Sequence, residues 1–417
     1  MKFLLKNVLL NNKKQDILIE NEFFSKIDNV INEQSDEIID CTDKAIQPAF
    51  YNTHTHAAMS LLKGLGDDKE LFSWLSEDIW PVEAKLTDED IYIGTKFAIL
   101  EMIKSGTVFF NDMYFSQPSI MKAIDEMGVR GAVSIVEFDM FNKNDTEKKK
   151  KDTLEFLKFK NPCEDRIIKV ISCHSVYTVS EELLSFASKI AKENNMFLHI
   201  HASETAKEVE DCIKKYGVSP IKKLEELGLL TEKTILAHCV HLNDEDIEII
   251  NKHHAKIAHC PVSNLKLNSG KMALQKMLDN GCFITLGTDG SSSNNSLSMI
   301  DEMKISALSA KDQNNSPTAG KANDIFKIAT KNGAEAFNIN AGEIKKGKLA
   351  DFVLYDLNNY HMQPNYNIIS NIVYSADNSV ITDVFCNGKQ IMKNGKVNNE
   401  KQIIEDFKSC FNKLIQK

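Results

Sequence analysis

Pro48-Ala49-Phe50-Tyr51-Asn52-Thr53-His54-Thr55-His56 is a short apolar run that ends in two histidines two residues apart. Side chains alternate faces along a strand, so a buried strand here aims His54 and His56 the same way. Two imidazoles directed at one point are half of a metal site. A hydrogen-bonded pair of core histidines is the competing reading, and the choice depends on whether further ligands arrive at the ends of other strands.

Working outward, the same texture of short apolar strand and amphipathic helix repeats through the middle of the chain. Strands are expected at FYNTH from residue 50, TVFFND from 107, GAVSIVEF from 131, RIIKVISC from 166, MFLHIHA from 196, KTILAHC from 233, AKIAHC from 255 and CFITLGTD from 282. Helical patterns such as DEDIYIGTKFAILEMIKSG and SEELLSFASKIAKENN lie between them, several closing on Gly or Asn as C-caps. Eight such alternations predict an α/β fold, a (β/α)8 TIM barrel over residues 49–344, with its site at the C-terminal ends of the strands. A doubly wound open sheet is disfavoured because no GxGxxG follows the first strand.

Residues 1–48 read as short strands too thin to own a core. Residues 345–417, with GKLADFVLYDL and ITDVFCNGKQIMKNGKV, have the same texture. Both are expected to meet in one small composite β-sandwich domain, with the barrel inserted between them.

The whole chain has 417 residues, 42% of them hydrophobic and 26% charged, with a formal charge of -9. This suits an ordinary globular protein acting on a small molecule and argues against nucleic acid or an anionic membrane as partner. No run approaches the ~20 apolar residues of a bilayer span, nor is there a leader-like start, so a cytoplasmic location is expected. Nine cysteines, odd in number and without a CxxC spacing, exclude a disulfide framework; Cys239 and Cys260 read as small core residues.

Residues 60–86 form a long excursion after the first strand, of the kind that covers a site. Trp74, Leu75 and Trp80 read either as residues that close over an apolar substrate or as helix residues packed on the barrel, while Glu83 by itself reads as a solvated carboxylate. At the other strand ends stand His201, His238 and Asp289, with Glu204 three residues beyond His201. Three histidines and an aspartate from strands 1, 5 and 8 meet the ligand requirement of a catalytic zinc that keeps one position for water. His199 shares a face with His201 and reads as a supporting or core histidine. His253 and His254 read as surface residues, and His259 as a pocket-side residue without a catalytic role. A divalent metal of this kind lowers the pKa of bound water, a carboxylate such as Glu204 carries the proton, and His238 steadies the nucleophile. Metal-assisted hydrolysis of an electrophilic carbon is the reaction class.

The chain resembles the amidohydrolase superfamily, within it the group of 5'-methylthioadenosine and S-adenosylhomocysteine deaminases and their chlorohydrolase and guanine-deaminase relations. The marks are PAFYNTHTHAAMSLLKG, SEDIWPVEAKLT, CHSVYTVSEEL, LHIHASETAKEVE, ILAHCVHL, IAHCPVSNLKLNSG and LGTDGSSSNNSLSMIDEM, spread over essentially the whole sequence. The resemblance implies one divalent metal, Zn2+ with Fe2+ as the other candidate, held by His54, His56, His201 and Asp289. It implies Glu204 as proton shuttle, His238 beside the nucleophile, and Asp289 as a second acceptor of the water proton. Glu83 is implied at the ribose, His174 at the purine and Ser293 at the substrate, with Glu204 and Trp80 also lining its site. The expected reaction converts an adenine nucleoside (5'-methylthioadenosine, S-adenosylhomocysteine or adenosine) to its inosine analogue and ammonia. Another aminated or halogenated heterocycle, such as guanine or an s-triazine, is the alternative, and a homo-oligomer is expected. Two departures stand out. Ala49 replaces a family glycine, and the arginines that homocysteine-type substrates meet after the third strand are absent. Arg130 precedes that strand, Ile135 lies in it, and lysines 148–151 follow on what reads as a solvated helix face.

Overall fold

The computed structural model describes residues 1–416. Five strands come first: β1 (Lys2–Leu10), β2 (Lys13–Glu20), β3 (Phe23–Asp28), β4 (Glu37–Asp40) and β5 (Lys44–Pro48). Then follow the strands of the barrel: β6 (Phe50–His56), β7 (Thr107–Asp112), β8 (Arg130–Glu137), β9 (Ile167–Cys173), β10 (Phe197–Ala202), β11 (Thr234–His238), β12 (Lys256–His259), β13 (Phe283–Leu286) and β14 (Asp289–Gly290). The chain returns through β15 (Phe352–Asp356), β16 (Ile381–Cys386), β17 (Lys389–Lys393) and β18 (Lys396–Val397).

The barrel strands pair in parallel in sequence order from β6 to β13, and β14 pairs with β6. Every residue of β7, β8 and β10 is buried, as parallel strands covered on both faces require. All eight expected strands are present, but the eighth, CFITLGTD, is interrupted between β13 and β14. Gly287 stands in the interruption. A Cβ there would lie 2.9 Å from both the Cβ and the backbone nitrogen of His54, so only glycine lets the last strand approach the first. Side chains then close the seam. Thr53 Oγ1 donates to the Leu286 carbonyl at 3.0 Å and lies 2.7 Å from Thr285 Oγ1. Asn52 bonds Thr288 twice, donating to its hydroxyl at 2.7 Å and accepting its N–H at 3.0 Å.

Strands from both ends of the sequence share a second sheet, in the order β18-β17-β16-β15-β5-β1-β2-β3, with β4 on β1. It has its own apolar core, including Phe3, Leu5, Ile17, Phe24, Phe352 and Phe385. Phe3 and Phe385 make an edge-to-face contact at 5.4 Å although three strand spacings of ~4.8 Å separate β1 from β16, so the sheet curls over on itself. This curl produces the sandwich-like layering. The excursion after β6 is folded into short helical turns rather than a loop, and Trp74 is buried within it. No helix among the described residues is long and apolar enough to cross a membrane.

Barrel and second sheet are tied by one buried ion pair. Arg130, at the start of β8, donates from Nε to Asp351 at 2.8 Å, and Tyr51 of β6 donates to the same carboxylate at 2.6 Å. The other oxygen accepts the Asn387 N–H at 2.6 Å, and Arg130 also reaches the Asn387 side chain and the Asp165 carbonyl. Removing one partner of such a pair strands the other without water. Asp351→Ala should therefore cost about 3–5 kcal/mol, read as a lowered urea midpoint at unchanged m-value.

Candidate metal centre and substrate pocket

The barrel places His54, His56, His201, His238 and Asp289 at the C-terminal ends of their strands, where their ligand atoms meet. His54 Nε2 and His56 Nε2 lie 3.3 and 3.2 Å from Asp289 Oδ1, and His201 Nε2 lies 3.4 Å from His56 Nε2. His54, His201 and His238 form one group, and His54, His56 and Asp289 another, whose ligand atoms all fall within 4.8 Å of one another.

The far side of each ring explains why the near side is free to ligate. His56 Nδ1 donates to the Met113 carbonyl at 2.7 Å and His201 Nδ1 to the His174 carbonyl at 2.8 Å, so each Nε2 carries a lone pair. His54 Nδ1 faces His199 Nε2 at 3.0 Å, and His199 Nδ1 lies 3.0 Å from the Asn111 side-chain amide. Asp289 is held from behind: Oδ2 accepts from Ser263 at 2.6 Å and Ser293 at 2.9 Å, and Oδ1 accepts the Gly290 N–H at 2.8 Å. Inward, lone pairs confront lone pairs, and the buried His54 Nε2 has no hydrogen-bond partner. A cation reconciles this arrangement, and the cluster is a site for a single divalent metal. Electrostatics points the same way. Burial acts to lower the proton affinity of His56, but Asp289 outweighs it and takes the ring up to about 9. Burial alone prevails at His54, which falls to about 4.

Glu204 lies beside the cluster, 3.9 Å from His238 Nε2. Burial raises its proton affinity, and Ser269 donates to its Oε1 at 3.1 Å. His238 is oriented by Asn264, which accepts from Nδ1 at 2.8 Å.

A cavity of about 630 Å3 opens over these groups, in the range that small-molecule sites occupy. Glu83, His174, Ser293 and Trp80 all line it. Rings mark a path outward from the metal ligands. His201 touches His174 at 5.0 Å, His174 touches Phe138 at 5.3 Å, Phe138 touches Trp80 at 6.1 Å, and Trp80 touches Phe72 at 6.1 Å. Burial takes His174 down to about 3, so it meets a ligand as a neutral ring. Glu83 is half-buried on the cavity wall rather than solvated, and burial raises its carboxyl. The Ser293 hydroxyl is turned toward Asp289 and the Gly290 carbonyl.

Among the described residues lining the cavity there is no lysine or arginine. Lys149 donates to the Val136 carbonyl at 3.0 Å, Lys150 pairs with Glu147 and Glu182, and Arg130 is engaged with Asp351. His259 is buried but does not line the cavity, and His254 is exposed; His253 is half-buried and bonds Glu225 at 2.9 Å. Several supports had no role in the reading of the sequence: Asn111, Ser263, Asn264 and Ser269. Their signal was available in kind, since Ser263, Asn264 and Ser269 sit in the stretch IAHCPVSNLKLNSG, but nothing local says which way each points.

The model of the amidohydrolase family matches residues 45–391. The chain is 43% identical over 402 residues to a 5'-deoxyadenosine deaminase of Methanococcus maripaludis, covering 95% of each. It is 44% identical over 370 residues to 5-methylthioadenosine/S-adenosylhomocysteine deaminase 1 of Archaeoglobus fulgidus, covering 88% of this chain and 87% of that one. The crystal structure of an adenosine deaminase from Xanthomonas campestris with bound zinc superposes with a TM-score of 0.92 at 28% identity, over 100% of this chain and 98% of the other.

His199→Ala removes the partner of His54 Nδ1 without touching a ligand. Competition with a chromophoric chelator should show metal affinity weakened by about 10–100-fold, with the circular dichroism of the wild-type fold.

Proposed function

Because this chain belongs to the amidohydrolase family, we propose that it is a metal-dependent deaminase that replaces the 6-amino group of an adenine nucleoside by oxygen, giving the inosine analogue and ammonia. The observation that carries the reading is the convergence of His54, His56, His201 and Asp289 beside a buried Glu204 at the floor of a cavity of nucleoside size. His54, His56, His201 and Asp289 would hold the metal, and zinc is the metal that this donor set and the zinc-bound relative favour. When bound, it supplies a nucleophilic water near neutral pH.

The chain's own groups do the rest. Glu204 takes a proton from the attacking water and delivers it to ring nitrogen N1 while oxygen adds at C6; a further proton leaves with the amine as ammonia. His238, its Nδ1 fixed by Asn264, presents Nε2 to the same water and sets its direction. Asp289 already accepts from Gly290, Ser263 and Ser293, so the proton falls to Glu204 and Asp289 serves as anchor. His174 meets the purine as a neutral ring and Glu83 meets the ribose hydroxyls.

The far end of the cavity decides the 5' substituent. We assign to it the lining residues Phe138, Met140, Phe115 and Trp74. Met140 and Phe141 both adopt left-handed backbone, held by the Thr178 carbonyl and the buried Asp139 carboxylate. A 5'-deoxy or 5'-methylthio group suits this wall. The carboxylate of a homocysteine tail would reach it without a cation to pair with.

Ammonia release from metal-loaded protein tests the reading. The kcat/KM for 5'-deoxyadenosine and 5'-methylthioadenosine should exceed that for S-adenosylhomocysteine by about tenfold or more, the cost of at least ~1.4 kcal/mol for an unpaired buried carboxylate. Absence of turnover with every adenine nucleoside, or turnover of guanine alone, overturns the assignment. Glu204→Gln should keep its metal and lose about 10²–10⁴-fold in kcat.

A further inference from the structure

Glu208 is buried, and no lysine or arginine of the described residues pairs with it. It is the third residue of the helix Ala206–Tyr216, whose N-cap is Thr205; the Thr205 hydroxyl accepts the Glu208 N–H at 3.1 Å. In an ordinary capping box the carboxylate at this position returns to the N–H of the cap residue. Here it reaches past the cap. Its Oε1 accepts the N–H of Ser203 at 3.0 Å and its Oε2 the N–H of Glu204 at 2.7 Å.

These two amides belong to a turn that needs holding. Ser203 has φ +52°, a left-handed conformation that a side chain disfavours. Its carbonyl accepts the N–H groups of both Val240 and His241, at 3.0 and 2.9 Å, so the turn after β10 is locked to the turn after β11. That second turn carries His238 and is itself left-handed, with φ 72° at His238 and 50° at Cys239. The separation of Glu204 from His238 is thus set by backbone bonds that converge on Ser203. Helix stability alone would be served by a carboxylate returning to Thr205. A buried carboxyl placed on the two amides ahead of the cap serves the aim of the Glu204 side chain instead.

We propose that Glu208 is a positioning residue, a carboxylate clamp that holds the strained Ser203–Glu204 turn and so fixes where Glu204 carries its proton. This rests on the assignment of Glu204 as proton carrier. The clamp is isolated by Glu208→Gln, which keeps one acceptor oxygen but sets an NH2 donor against a backbone N–H, leaving one amide unpartnered. With 5'-methylthioadenosine as substrate, kcat should fall by about 10–100-fold while KM and bound metal per chain stay near wild type. Hydrogen exchange of the peptide spanning 203–205 should quicken. Adding Ser203→Gly to Glu208→Gln should recover part of the lost kcat, because glycine holds φ > 0 without the clamp. The recovery also serves if the single variant folds poorly.

Wild-type kcat in Glu208→Gln, or a loss accompanied in proportion by lost metal or raised KM, overturns the proposal, as does a double variant no better than the single one. Exchange that stays as slow as in the wild type overturns the clamp itself. If the wild-type protein deaminates no nucleoside, the proton-carrier assignment fails, and exchange still decides whether Glu208 holds the turn.

Discussion

Gly287 lets the backbone of the last barrel strand lie against His54, and Asn52 and Thr53 stitch that approach with side-chain hydrogen bonds. Everything at the site depends on this seam. It carries β14 onto β6, and so brings Asp289 opposite His54 and His56 at hydrogen-bond range. Were the last strand displaced by the width of one methyl group, the carboxylate would lose its position between the two rings. The polar residues that precede the first histidine are therefore part of the metal site although none of them is a ligand.

Two kinds of support surround the ligands. Carbonyls, Asn264 and His199 fix which ring nitrogen faces inward, and the hydroxyls of Ser263 and Ser293 fix the carboxylate. The turn that carries Glu204 is held differently, by backbone bonds among left-handed turns. A metal site tolerates small ring motions because the ion recentres its ligands. The turn of Glu204 has no ion to recentre it, and there backbone bonds set the position.

Much of this was legible in the amino-acid order. The period-two spacing of His54 and His56, the eight strand-like runs and the polar residues at their ends follow from alternation of faces and from barrel geometry. The pairing of both ends of the chain in one sheet followed from shared texture. What stayed hidden depended on direction rather than identity. Ser293, expected at the substrate, lines the cavity, and that its hydroxyl also turns to Asp289 is set by a rotamer. Glu208 stands at the third position of its helix, and only the fold shows that its carboxylate reaches past the cap residue. The close approach of residues 54 and 287 at the break in the eighth strand is one that no local pattern records. Lys149 sat in a charge run that read as solvated, and its amine is bound to the Val136 carbonyl.

The second sheet has a consequence for how the polypeptide is made. Pro48 pairs with Phe352 and Lys44 with Asp356, so β5 meets its neighbour only after some three hundred residues of barrel have left the ribosome. Until then β5 lacks its partner on that side, and an unpaired strand edge is the sort that recruits strands from other chains. Closing so long a loop is costly for a flexible chain, but a barrel folded in the interval shortens the search by carrying its two ends close together. Arg130 and Tyr51, both on barrel strands, are then already in place to receive Asp351 as it emerges. The order of synthesis is thereby built into the order of assembly, with the catalytic body first and the seal last.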